Sequence, residues 1–289
     1  MTELQMIGQI SQDGLNDANP IRQKIPSGPN MELIEHFHEH GWARVPQAFG
    51  PEAAAAAAMR EAVWHVLAGD GIRRDEPSNW TLERPTHLQR LKEHPVFRAV
   101  GSPSVLAAID AILAGRAHET PENWGALFIA FPAGDKRGIP ASGWHIDAKY
   151  MSALWPPGGV KTFALFGDVA PWCGGTQIVS GSHRLVHRWF KQNPPPPGTR
   201  SADMRKLLQA HRYIRDLHTN GDQEERITRF MGHAEVSDGI PLQVVECTGS
   251  AGDVILLHPL TLHVAASNTG YAPRFMLSGG ATTDMWGWA

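Results

Sequence analysis

From about residue 122 onward the chain is a succession of short apolar runs cut apart by glycine, proline and polar turns, and this texture restricts the fold more than any other feature of the sequence. The runs are "WGALFIAF", "KTFALFGDV", "TQIVSGS", "LQVVEC", "DVILLH" and "RFMLSGGA". Each has the length of a strand and is too short for a core helix, and the turn chemistry between them predicts an antiparallel sandwich or barrel. The first half reads differently. "MELIEHFHEHG" places Leu33, Ile34 and Phe37 at helical spacing and ends on Gly41, which suits a left-handed cap. "WARVP" follows as a short strand, and Pro51 with the alanine run after it predicts a helix over 51–68, stopped by Gly69 and Gly71. More helix is expected over 85–93 and 103–114. The expected fold class is α+β with a mainly β core, prefaced by helices that pack on one sheet.

Residues 1–30 lack periodicity and read as an irregular arm, and 31–289 as a single domain with a helical part at 31–115 and a β core at 122–188 and 239–284. The core is interrupted at 189–238, where "NPPPPG" predicts a stiff extended piece and "SADMRKLLQAHRYIRDLHTN" one helix starting at Ser201 or Asp203. An interruption of that length between core strands reads as a lid or a binding loop. The 289 residues, 42% of them hydrophobic, suffice for a full core. A formal net charge of -3 and the absence of a basic block argue against nucleic acid or an anionic membrane as partner. With no targeting pattern at the start and no apolar run near ~20 residues, the expectation is a cytoplasmic protein acting on a small molecule. Cys173 and Cys247 form no metal-type spacing, and whether they pair stays open.

Chemistry concentrates in "SGWHIDAKY". On a strand, side chains at i and i+2 share a face, so His145 and Asp147 converge while Ile146 packs on the other side. An imidazole and a carboxylate from one strand are two ligands of the facial triad that suits non-haem Fe(II) and leaves coordination positions open. The third ligand is His258 or His263, both in "GDVILLHPLTLHVAASN". If 258–267 and 274–281 form a hairpin, Arg274 lies opposite residues 264–266, an axial offset of roughly 3 to 10 Å from His263. That is the reach of a five-carbon dicarboxylate chelated to metal at one end and gripped at the other by a guanidinium, whose planar fork matches a carboxylate. His263 is thereby preferred, with His258 left as a supporting or core residue. The run His36, His38 and His40 reads as a solvated helix face.

In their order along the chain, His145 and Asp147, Gly181-Ser182-His183, Gly252-Asp253, His263, Asn268 and Arg274 resemble the phytanoyl-CoA dioxygenase family of Fe(II)/2-oxoglutarate oxygenases, over roughly residues 31–281. The resemblance implies a double-stranded β-helix (a jelly roll, cupin-like) with metal held by His145, Asp147 and His263, and Arg274 on 2-oxoglutarate. It also suggests Trp144 as a pocket residue, or equally a core tryptophan, and Thr162 and Thr176 as hydrogen-bond partners of 2-oxoglutarate. Ser182 and His183 are expected to stabilise a turn, and Lys149 and Tyr150 to lie near the substrate. The strand "WGALFIAF" carries no polar cosubstrate residue, so a second anchor for 2-oxoglutarate is not identified.

The implied function is an oxygenase that uses Fe(II), 2-oxoglutarate and O2 to hydroxylate or otherwise oxidise a small organic molecule, with succinate and CO2 as coproducts. Asp147 argues against halogenation, which in this family goes with loss of the carboxylate. The alternative is a non-redox cupin-like metal protein, an isomerase or a small-molecule binding protein, and Arg274 discriminates between the two.

Overall fold

The computed structural model describes residues 31–49, 54–134, 137–147, 154–196 and 199–283. The arm 1–30, Pro51, Lys149, Tyr150 and the terminal 284–289 lie outside them.

The β core consists of two antiparallel sheets. The first has five strands in the order β1 (Trp42–Val45), β7 (Val254–Leu257), β3 (Gly159–Leu165), β9 (Arg274–Thr282) and β2 (Ala126–Ala130). The second has four, in the order β5 (Glu235–Ser237), β6 (Ile240–Glu246), β4 (Gln177–Ser180) and β8 (His263–Val264). Between the sheets lies one apolar layer made of Phe163, Leu165, Ile178, Cys247, Ile255, Leu257 and Met276. Strands β4 and β7 are buried on both faces, which is why their sequences are continuous apolar runs rather than alternating ones.

Each sheet has its own helical cover. Over the five-stranded sheet lie α1 (Met31–His40), α2 (Ala54–Gly69), α3 (Pro103–Ile112) and two 3-10 segments, His87–Glu93 and Pro95–Val100. Helix α1 stops where expected: the Gly41 N–H closes on the Phe37 carbonyl at 2.8 Å with φ at 76°, and a side chain there would collide with His183. Helix α3 starts with Pro103 behind Ser102, whose hydroxyl oxygen accepts from the Val105 N–H at 3.3 Å. The edge strand β2 is closed off by Gln89, which donates to the Leu127 carbonyl at 2.7 Å and accepts from its N–H at 3.0 Å.

The second cover includes the interruption at 189–238. Helices α4 (Ser182–Gln192), α5 (Ser201–Leu208), α6 (Arg212–Leu217) and α7 (Gln223–Phe230) press Leu185, Phe190, Leu208, Tyr213, Leu217 and Phe230 onto the outer face of the four-stranded sheet. The interruption therefore spends its apolar side chains on a wall of the core. Ser182 and His183, expected to stabilise a turn, open α4, and the Ser182 hydroxyl donates to the Val179 carbonyl at 2.6 Å. The single helix expected from Ser201 is broken at His211, whose ψ of 131° is extended, so that Leu208 and Tyr213 both reach the sheet. The helix expected over 85–93 is a 3-10 turn sequence.

The assumed hairpin of 258–267 with 274–281 does not form. Strand β8 pairs with β4, and β9 pairs with β3 and β2 in the opposite sheet, so His263 and Arg274 lie in different sheets and not along one ladder. Cys173 and Cys247 are free thiols. Among the described residues no helix is long and apolar enough to cross a membrane.

Candidate metal centre

His145 extends the four-stranded sheet by an isolated antiparallel bridge to His263, each N–H donating to the other's carbonyl at 3.0 Å. That bridge sets both imidazoles on the same face. His145 Nε2 lies 3.4 Å from one oxygen of Asp147, and His263 Nε2 lies 3.3 Å from the other. The ligand atoms of the three residues all fall within 4.8 Å of one another.

The hydrogen bonds behind the ring atoms decide what this cluster can bind. His145 Nδ1 faces the Gly143 carbonyl at 2.7 Å, and His263 Nδ1 faces the Thr261 carbonyl at 2.9 Å. A carbonyl can only accept, so each Nδ1 carries a proton and Nε2 is the atom that each ring turns toward Asp147, a lone-pair donor whenever the ring is neutral. Two ring nitrogens and a carboxylate then converge, with the Lys161 ammonium donating to the carboxylate from the side, an arrangement that a metal cation completes. Burial acts to raise the Asp147 pKa, but its contacts with His145 and His263 and the charge of Lys161 overcome this and hold the carboxyl far below its usual range. For His263, burial dominates and lowers the pKa, which favours the neutral ligand form.

Period-two alternation settles which neighbours share the site. On β9, Arg274 and Met276 point between the sheets while Phe275 and Leu277 join the helical side. Arg274 is 3% exposed, its Nη1 touches the Met276 sulfur at 3.2 Å, and its Nε has no partner. Among the described residues no carboxylate pairs with it. Burial, with Arg84 nearby, lowers its pKa to about 10. Thr176 reaches the same place, its hydroxyl donating to the Met276 sulfur at 3.8 Å. A buried guanidinium beside a hydroxyl, with no counter-charge, fits the far carboxylate of a dicarboxylic acid. Asn268 aims this strand: its amide donates to the Ala130 and Ala272 carbonyls at 2.9 and 2.8 Å, and its oxygen accepts from Gly270 N–H at 2.9 Å.

Thr162 is not brought to the site, and of the two places left open for Trp144 the structure gives the core. Trp144, one residue from His145, points to the other face of its segment into the layer under α4–α7, with its indole N–H on the Pro140 carbonyl at 2.8 Å. Thr162 lies on the outer face of β3 with Val160 and Ala164, whereas Lys161 and Phe163 face inward. His258 is turned away, its ring nitrogens engaged by the Leu154 carbonyl and the Leu260 N–H at 3.1 Å each. His183, at 5.1 Å between ring centroids, packs against it.

Sequence reasoning passed over Lys161 and Phe163. The Phe163 ring stands 5.8 Å from that of His263, and the Lys161 ammonium is paired with Asp147. A lone lysine inside an apolar run was the available signal, since a strand buried on both faces accepts a charge only when it is paired.

A sequence profile of the phytanoyl-CoA dioxygenase family (PhyH) matches residues 37–276. The chain belongs to the phytanoyl-CoA dioxygenase family. The fold is shared with AviO1 from Streptomyces viridochromogenes Tue57, at 17% identity over 89% of this chain and 96% of that one, with a TM-score of 0.50. Also similar are the epimerase SnoN, solved with Fe3+, alpha ketoglutarate and nogalamycin RO, at 14% identity, 89% and 84% coverage and TM-score 0.47. HygX from Streptomyces hygroscopicus, solved with nickel, 2-oxoglutarate and hygromycin B, gives 14% identity, 88% and 87% coverage and TM-score 0.47. Among curated proteins no sequence match is found.

Proposed function

We propose that this member of the family is an Fe(II)- and 2-oxoglutarate-dependent oxygenase that oxidises a C–H bond of a small organic molecule, built on a double-stranded β-helix. The fold reading is supported by the way the chain passes between sheets: β3 to β4 and β6, back to β7, across to β8 and back to β9. The functional reading is carried by one observation: a two-histidine, one-carboxylate cluster with both Nδ1 protons held by carbonyls opens into the same interior as a buried guanidinium without a counter-charge.

His145, Asp147 and His263 would hold iron, and the iron, when bound with 2-oxoglutarate, supplies oxidation of a C–H bond by O2 with release of succinate and CO2. The remaining work belongs to the chain. Arg274 binds the far carboxylate through its planar fork, with Thr176 beside it to donate a further hydrogen bond. Gly143 and Thr261 fix the ligand tautomers through their carbonyls. Phe163, Ile178 and Met276 keep water out of the space between metal and guanidinium. The Asp147 carboxylate fills the position whose loss goes with halogenation, so oxygenation is the outcome assigned.

A non-redox metal protein has no use for a buried arginine facing its metal. The test is anaerobic addition of 2-oxoglutarate to the Fe(II)-loaded protein, followed by optical spectroscopy and then by succinate analysis in air. A visible charge-transfer band and succinate formation are expected. Metal binding without a band and without succinate would favour the non-redox reading.

A further inference from the structure

We propose that Lys161 is a built-in counter-ion of the metal centre, which holds the site assembled before metal arrives and makes metal binding depend on an anionic cosubstrate. This rests on the metal-centre reading above. Strand β3 reads Gly-Val-Lys-Thr-Phe-Ala-Leu, and Lys161 is its single charged residue, with ladder neighbours Leu257 and Gly280. Its side chain is 16% exposed, its ammonium pairs with Asp147 Oδ2, and it lies 5.4 Å from the centre of the Phe163 ring.

The oxygen that Lys161 holds is also the one 3.3 Å from His263 Nε2. A divalent ion seated among His145, Asp147 and His263 therefore competes with the ammonium for the carboxylate and stands close to a second positive charge in a half-buried place, where Coulomb repulsion is weakly screened. Two effects follow. Before metal arrives, the lysine neutralises the carboxylate and draws it toward both imidazoles, so that the donors are already in place. Once metal arrives, the lysine lowers its affinity below what the donor set alone would give.

A dianion such as 2-oxoglutarate reverses the second effect by cancelling the excess positive charge. Metal and cosubstrate must then strengthen each other's binding by the same factor, as linkage requires, and part of that factor passes through Lys161. The lysine thus disfavours a metal ion held without cosubstrate.

The experiment is calorimetric titration of metal-free protein with Mn(II), with and without 2-oxoglutarate, for the parent chain, Lys161→Met, Lys161→Gln, Lys161→Arg and Asp147→Ala, with melting curves to verify folding. The neutral variants are expected to bind Mn(II) alone about 10-fold tighter than the parent, and the gain from 2-oxoglutarate to shrink by a similar factor. Lys161→Arg keeps the parent behaviour. Neutral variants that fold and bind Mn(II) alone no tighter than the parent, or keep the full gain, overturn the proposal. A different result, no Mn(II) binding by the parent even with 2-oxoglutarate present, or binding that Asp147→Ala leaves unchanged, overturns the metal-centre reading and this proposal with it.

Discussion

His145 and His263 stand directly opposite each other on adjacent strand segments, with both backbone hydrogen bonds at 3.0 Å and ring centroids 4.3 Å apart. The candidate metal ligands are thus positioned by a ladder pairing between residues more than a hundred positions apart, and not by the local spacing of His145 and Asp147 alone. Because the pairing is made by main-chain atoms, replacing a ring leaves it intact. His263→Ala is expected to fold and to lose at least about 100-fold in affinity for Co(II), since disturbing even the partners behind a ligand costs 10- to 100-fold. Titration followed by Co(II) absorbance, with circular dichroism as the folding control, checks this. Parent-like affinity in a folded variant would remove His263 from the ligand set.

Arg274 makes an opposite pair of changes. Its guanidinium is buried without a counter-charge, so Arg274→Met replaces an uncompensated charge by an apolar side chain of similar volume, which tends to be neutral or stabilising. The melting temperature without 2-oxoglutarate should stay level or rise. The affinity for 2-oxoglutarate should fall by about 10- to 100-fold, the value of a charge-assisted pair. In thermal melts the variant loses the stabilisation that 2-oxoglutarate gives the parent, while Co(II) binding persists.

The legible and illegible parts of the sequence separate along one physical line. His145, Asp147 and Ile146 were readable because a strand alternates with period two, and Gly41 because a helix end needs a residue at positive φ. His263 and Arg274 were readable as residue types in order, but the hairpin assumed between them was wrong: pairing depends on which sheet a strand joins, and no local pattern encodes that. The same limit explains Thr162. A strand buried on both faces carries no alternation in its hydrophobicity, so nothing local distinguishes the face of Thr162 from that of Lys161. It also explains Trp144, whose neighbour is a ligand and whose own side chain is core. The sheet-covering role of 182–230 was hidden because α4 and α7 are short and strongly charged, with their few apolar residues on one stripe.

Arg226 joins that cover to the segment leading into the metal centre. Its guanidinium donates to the Leu217 carbonyl at 2.9 Å, to the Asp216 carbonyl at 3.3 Å, to those of Ile139 and Pro140 at 3.4 Å each, and also to Thr219. These carbonyls belong to the end of α6 and the turn after it and to the chain five and six residues before His145. The Pro140 and Asp216 carbonyls keep the Trp144 indole N–H and the Thr219 N–H, but Arg226→Met leaves those of Leu217, Thr219 and Ile139 without this donor and should cost about 2 to 4 kcal/mol, and Arg226→Lys should recover little because an ammonium lacks the planar fork. Urea unfolding measures the loss. A change below about 1 kcal/mol would mean that water replaces the guanidinium at these carbonyls.

His258 makes stability depend on pH on the acid side. Burial, with His187 and His38 nearby, lowers its pKa to about 4, although its contact with the Leu154 carbonyl acts the other way. The folded protein therefore keeps the ring neutral in a range where an unfolded chain, with a histidine pKa of about 6.5, takes up a proton. Stability from this residue is fully present above about pH 6.5 and is lost as the pH falls toward 4, with about 2 kcal/mol gone between pH 7 and 5. His183, also buried and held well below its usual pKa by burial first and by His258 second, adds in the same direction. Unfolding free energies from urea titrations at pH 7 and 5 should differ by at least that amount in the parent chain. His258→Gln should show a smaller difference, even if it is less stable at pH 7 through a poorer fit to the Leu260 N–H. An equal pH dependence in the two proteins would assign the acid sensitivity to other groups.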